Sequence, residues 1–229
     1  MPETVPLAPR ETSLDVLLPL AELAPGLADH VVDSRYEDVG EAVASAWDSV
    51  VTETSISIPL HHHRCGTMKL RARDRMLYDQ AGPIALVTFV TPLGRRLPIW
   101  VNQETRLLYG FLTWYAEALP PSGALLTVRR DPQDSDVYHL SYEGETDAGT
   151  YLGHDRLAQL EALRSRLRRK RPFLVEVVTA LLHGNAKGLA FDQLWAQTNV
   201  IRRTTRLLLA STLTAYAQFG EAHGKWRLV

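Results

Sequence analysis

The chain has 229 residues, room for one large domain or two small ones, and its 45% apolar and 22% charged content is that of an ordinary water-soluble fold. No apolar run reaches membrane-spanning length, the opening residues lack the basic start and apolar stretch of a secretion signal, and the single Cys65 excludes an intrachain disulfide, so the expected setting is the cytoplasm, with no membrane partner. The net charge of −1 conceals a segregation: residues 1–60 carry −9, 61–110 carry +5, 111–150 carry −5 and 151–229 carry +8. Such a chain can hold a polyanion if its positive blocks meet on one surface.

In chain order, Leu14 to Leu27 is leucine-rich with a roughly helical period, ended by Pro25-Gly26. It reads as a packing helix or a tail for a protein partner. Ser34 to Val51 reads as a helix capped by Ser34 with Glu37 in the capping-box position, and Val39, Val43 and Trp47 recur at helical spacing. Together these make an acidic helical segment over 1–55, and TETSISIPL leads from it into a strand.

Residues 56–150 read as a β-rich unit. Ile84–Thr91, Leu97–Asn102, Arg106–Gly110, Ala124–Arg130 and Val137–Glu143 are short β-prone runs, separated by turn signals such as Pro92-Leu93-Gly94 and Asp131-Pro132. Phe111–Leu119 reads as a helix among them. Short strands with frequent turns point to a small barrel or half-barrel. From Lys69 the basic residues Lys69, Arg71, Arg73 and Arg75 alternate with Leu70 and Ala72, which on a strand puts the four on one face. The order GTMKL…IALVTFVTPLGRRLPIWVN…RLLYG…PPSGALLTVRR resembles the DNA-binding pseudobarrels of plant B3 domains and of certain restriction-enzyme N-terminal domains. The resemblance implies a second DNA-contacting surface. A generic β-rich docking domain is the alternative.

His61-His62-His63-Arg64-Cys65 reads as histidines at a strand entry. Alternation would let only His61, His63 and Cys65 converge, and a zinc site needs a fourth ligand, so no metal is expected. No GxSxG, P-loop, GxGxxG or HExxH motif is present, and no catalytic residue or cofactor is expected.

Residues 151–171 read as a connecting helix with an apolar seam of Leu157, Leu160, Leu163 and Leu167. It ends in Arg164, Arg166, Arg168, Arg169, Lys170 and Arg171, with Pro172 as a stop. Such a run is either a solvated helix end or a set of phosphate contacts. Residues 172–229 parse as helix, turn, helix, turn, helix and hairpin. Phe173, Val177, Val178, Leu181 and Leu182 form the first apolar face; Phe191, Leu194 and Trp195 the second; Leu207, Leu208, Leu213 and Tyr216 the third. The third helix is expected to open with Arg202, Arg203, Thr204, Thr205 and Arg206, side chains suited to base edges and phosphates at the start of a groove-reading helix. Lys225 and Arg227 on the hairpin, with Arg168 to Arg171, are the candidate backbone contacts.

The run LWAQTNVIRRTTRLLLASTLTAY followed by GKWRL resembles the HARE-HTH-like branch of winged-helix domains, which implies DNA binding. The expected fold class is therefore α+β: a barrel-like central domain, a helical linker and a C-terminal winged helix. The expected function is duplex-DNA binding, in transcriptional regulation or as the recognition component of a nucleic-acid-processing system. The alternative is a protein-interaction adaptor using the winged helix and the acidic N-terminus.

Overall fold

A computed structural model describes Glu22, residues 51–71, Asp74, Leu77, Tyr78, and residues 82–168 and 172–229. Apart from Glu22 and Val51, the leucine-rich stretch and the helix expected from Ser34 lie outside these residues, as do Arg73, Arg75, Arg169, Lys170 and Arg171.

The fold is mixed α+β. Strands β1 (Glu53–Ile58), β2 (Thr67–Lys69), β3 (Ile84–Val90), β4 (Arg96–Asn102), β5 (Leu107–Tyr109), β6 (Ala124–Arg130) and β7 (Val137–Ser141) form one seven-stranded sheet in the order β1-β6-β7-β3-β4-β5-β2. The neighbours β3 and β7 run parallel; the other pairs are antiparallel. Alternation is clean on β4, where Leu97, Ile99 and Val101 are buried and Arg96, Pro98 and Trp100 are exposed. The inward side chains meet in an aromatic centre of Tyr78, Phe89, Phe111, Tyr115 and Tyr138. Each such side chain contributes about 1.5–3 kcal/mol when fully buried.

The sheet curls into a nearly closed barrel whose edges, β1 and β2, are joined by side chains. Arg71, just past β2, donates from Nη2 to the Ser55 carbonyl (2.6 Å) and to Thr54 Oγ1 (2.7 Å), and from Nε to Asp74 Oδ2 (2.6 Å). Thr54 Oγ1 in turn donates to Asp74 Oδ1 at 2.6 Å, and Asp74 is fully buried. The strand alternation expected from Lys69 to Arg75 therefore stops at Lys69. The partner strand β5 offers pairing only over Leu107–Tyr109, and beyond it the buried carboxylate of Asp74 draws the Arg71 guanidinium into the seam. Arg71 closes the barrel instead of facing outward with Lys69.

The histidine triplet also departs from expectation. Leu60–Cys65 is a short helix, α1, entered from Pro59 and stopped by Gly66 in the left-handed region (φ 63°). A Cβ on Gly66 would lie 2.5 Å from that of Leu112, so glycine is required there for space as well as for φ. Helix α2 (Leu112–Ala118) sits beside α1 and buries Trp114 and Tyr115, and the Tyr115 hydroxyl donates to the Thr67 carbonyl (3.1 Å).

A second core follows. Helices α3 (His154–Arg168), α4 (Leu174–His183), α5 (Phe191–Ile201) and α6 (Arg206–Ala215) precede a two-stranded hairpin, β8 (Phe219–Ala222) and β9 (Lys225–Leu228). Leu160, Val178, Leu181, Leu194, Leu209, Leu213 and Trp226 are buried together. The hairpin turns on His223 and Gly224, both left-handed (φ 55° and 71°), the geometry that matches strand twist in a two-residue loop. Leu189, between α4 and α5, makes an isolated antiparallel bridge to Trp226. The seam Leu157, Leu163 and Leu167 packs against this core with Leu160 inside it, so α3 is part of the C-terminal unit and not a bare connector. Leu60 of α1 packs against the same core and joins it to the barrel.

Helix α6 begins at Arg206, later than the sequence suggested. Thr205 is its cap, with Oγ1 accepting from the Leu208 N–H at 3.1 Å, while the Arg202 N–H still donates to Thr198 at the end of α5 (2.8 Å). Asn199 Oδ1 accepts from the Thr204 N–H at 3.1 Å. Residues 202–205 are thus a tight connection braced at both ends.

Candidate nucleic-acid interface

A groove of about 410 Å³ lies between the barrel and the C-terminal unit. The barrel side contributes Thr67 and Lys69 of β2, Thr105 and Tyr109 near β5, and His61 and His62 of α1; the other side contributes Trp195 of α5 and Arg203, Thr204, Thr205 and Arg206. Lys69 and the Arg203–Arg206 cluster, read from distant parts of the sequence, therefore share one cavity. No carboxylate is among its described lining residues.

The cationic residues of the connection have different duties. Arg203 is exposed. Arg202 is half-buried, and its Nη1 donates to the Pro172 carbonyl at 3.2 Å. That bond ties the connection to the backbone that enters α4. Arg206 is ion-paired to Asp192 through Nη1, and its Cζ lies 4.5 Å from the Trp195 ring centroid and 5.9 Å from that of Phe191. Pairing and stacking fix its guanidinium at the groove wall. Helix α6 carries no other charged side chain, and Leu207, Leu209, Ala210, Ser211, Thr212 and Leu213 are buried.

The histidines form the floor. His62 Nδ1 is 2.8 Å from Thr67 Oγ1, and the His61 ring meets Trp195 edge-on with centroids 5.2 Å apart. Burial, then the charges of His62, Arg203 and Arg206, push His61 down to about 2; burial, then Arg203, pushes His62 down to about 4. Both are neutral at physiological pH, so the positive potential of the groove comes from lysine and arginine. His63 is also lowered, by burial and then by Arg64, and stacks on Tyr115 at 5.2 Å.

None of the other anticipated residues that are described lines the cavity. Arg166 and Arg168 are exposed near the end of α3, whereas Arg164 contacts Glu161 at 3.5 Å. Lys225 and Arg227 are exposed on β9. The sequence reading missed His61 and His62 as groove residues because it placed them at a strand entry, and it used Trp195 only as core. Thr105 and Tyr109 carried no signal of their own; only the β2–β5 pairing brings them beside Lys69.

A second depression, about 320 Å³ on the outer face of β1, β6 and β7, is lined by Glu53, Glu143 and Glu145 beside Arg129 and His139, a poor match for a polyanion. Asp131, in the turn before β7, accepts from the backbone of Gln133 (2.8 Å) and Asp134 (3.1 Å) and faces His139 Nε2 at 2.7 Å, so its carboxylate organises a turn. Among the described residues no three His, Cys, Asp or Glu side chains are grouped to hold a metal ion, and no helix is long and apolar enough to cross a membrane. No protein-family model matches the chain, and no curated protein sequence matches it.

Proposed function

We propose that the chain binds duplex DNA, as a transcriptional regulator or as the recognition component of a nucleic-acid-processing system in the cytoplasm. The observation that carries this reading is the groove in which Lys69 of the barrel meets Arg203 and Arg206 of the C-terminal unit, with no carboxylate among its described lining residues. Positive side chains gathered from separate elements suit a phosphate backbone better than a small neutral ligand.

The order of three helices and a hairpin, with Leu189 bridged to Trp226, supports the winged-helix resemblance. The nearly closed seven-stranded sheet is in keeping with the pseudobarrel resemblance. In this reading DNA is held by the α5–α6 connection and the barrel edge, with Thr204 and Thr205 at phosphates or base edges and Lys225 and Arg227 as hairpin contacts. Helix α6 itself has too little exposed polar surface to read a groove along its length.

The test is fluorescence anisotropy with a labelled duplex over a salt series, comparing the wild type with Lys69→Ala/Arg203→Ala. Loss of two phosphate contacts should lower the slope of log K against log salt by about 1.8. A folded double variant with unchanged affinity and slope would remove the groove from the interface.

A further inference from the structure

The outer face of the barrel beside the groove carries side chains that a folded sheet ordinarily keeps from water. Ile84, Leu86 and Trp100 are 55%, 53% and 51% exposed. Strand register puts them together. Leu86 on β3 pairs with Trp100 on β4, Trp100 pairs with Tyr109 on β5, and Tyr109 pairs with Thr67 on β2. Alternation turns Leu86, Trp100 and Tyr109 away from the barrel core, because Val87, Val101 and Leu108 between them are buried in it; Thr67, at the end of the row, is covered where it meets His62. Directly paired residues on one face stand about 4.5–5.5 Å apart at Cβ, so this is a continuous row. One row further along, Lys69 is paired with Leu107.

The row runs into the basic groove without a break, since Tyr109, Thr67, Leu107 and Lys69 line that groove as well. We infer that the Trp100–Tyr109 row is a stacking platform for unpaired bases, with the phosphates of the same strand lying along Lys69 and Arg203. This rests on the nucleic-acid reading above and names the substrate class as one containing a single-stranded stretch. Two features favour bases over a protein side chain as the occupant. The aromatic pair is contiguous with a cavity that has cationic but no acidic described lining residues. Stacked bases also need flat, exposed rings spaced along a backbone track, which is how sequence-tolerant single-strand binding is built. The half-exposed indole of Trp100 offers such a ring, and Tyr109 is held in place by a 3.1 Å contact of its hydroxyl with Thr105 Oγ1.

The experiment compares a labelled oligo(dT) and a blunt duplex as probes for the full chain and for Trp100→Ala, Leu86→Ala and Lys69→Ala/Arg203→Ala, with thermal melting to confirm each fold. On the stacking inference Trp100→Ala weakens oligo(dT) binding about five- to a hundredfold. It leaves blunt-duplex binding within twofold and abolishes part of the tryptophan quenching that oligo(dT) causes in the wild type, while Leu86→Ala has a much smaller effect. If Trp100→Ala leaves oligo(dT) affinity and quenching unchanged while Lys69→Ala/Arg203→Ala weakens both probes, the platform is wrong and the DNA-binding reading stands. An equal loss on both probes, or a Trp100-dependent self-association seen by light scattering without nucleic acid, also overturns the platform. If neither probe binds the wild type at low salt, both readings fall together.

Discussion

Arg206 is held on two sides at once: its guanidinium pairs with Asp192 and lies over the Trp195 ring, 4.5 Å from the centroid. Arg203, three residues earlier, is exposed at the same groove. Two arginines of one short segment thus differ: one is fixed by an ion pair and a ring, the other is exposed.

That separation predicts opposite phenotypes. Arg206→Ala should cost about 1–3 kcal/mol of stability, since a partly desolvated cation–π contact and a charge-assisted pair are both lost. Arg206→Lys should rescue little, because an ammonium cannot stack and fork as a guanidinium does. Arg203→Ala should change stability by less than about 0.5 kcal/mol yet weaken DNA binding. Urea denaturation and anisotropy on the same three variants decide the matter; a stability loss at Arg203 equal to that at Arg206 would contradict the assignment.

The barrel seam gives a second expectation. Asp74 is fully buried and takes its charge compensation from Arg71, so Asp74→Ala leaves a guanidinium and the Thr54 hydroxyl without their acceptor. Breaking one side of such a pair costs about 3–5 kcal/mol. Chemical denaturation should show this loss for Asp74→Ala. A change below about 1 kcal/mol would mean that the seam is held elsewhere.

The groove histidines set a pH dependence. The folded-state values of about 2 for His61 and about 4 for His62 lie below the ordinary 6.5, so unfolded chains bind these protons first. Stability is therefore full above about pH 6.5 and falls as the pH drops below it, by at most about 1.4 kcal/mol per pH unit for each histidine. His61→Gln/His62→Gln should flatten the urea-midpoint profile between pH 6.5 and 5. Because neither ring gains charge in that range, duplex affinity of the wild type should not rise on mild acidification. A rise that the double variant abolishes would show protonation inside the groove.

Arg166 and Arg168 are exposed on the last turn of α3. Replacing both with Ala should lower the salt slope of duplex binding by about 0.9 for each phosphate contact they make, with no change in sequence preference. An unchanged slope would leave them as a solvated helix end.

Much of the architecture was legible from local pattern. The runs at Ile84, Leu97, Ala124 and Val137 became β3, β4, β6 and β7 because period-two alternation and flanking turn residues act over short distances. The C-terminal helices were legible for the same reason, through Val177, Val178, Leu181 and Leu194. Three features were not. Thr205 looked like the interior of a helix, but Thr is a strong cap and took that role, moving the helix start to Arg206. Arg71 looked like one of a row, but the buried carboxylate of Asp74, bonded also to Thr54 of β1, claimed it. The histidines looked extended, yet Pro59 and Gly66 enclose one helical turn between them. The groove was half visible: Lys69 and Arg203 to Arg206 stand out in the sequence as separate basic clusters, but their meeting depends on sheet closure and on α1, which no local pattern encodes.

Helix α1 reaches in both directions. Leu60 enters the C-terminal core, Arg64 pairs with Glu161 of α3, His62 bonds Thr67 of the barrel and His63 stacks on Tyr115. A single turn of helix is thus mortared into both halves, and a cut after residue 150 would strip the C-terminal core of one of its apolar covers. The gap between Lys69 and Arg203 is consequently a dimension of the folded chain, set before any ligand arrives. On the proposed reading, a strand whose phosphates match that spacing would be held with little cost of rearrangement.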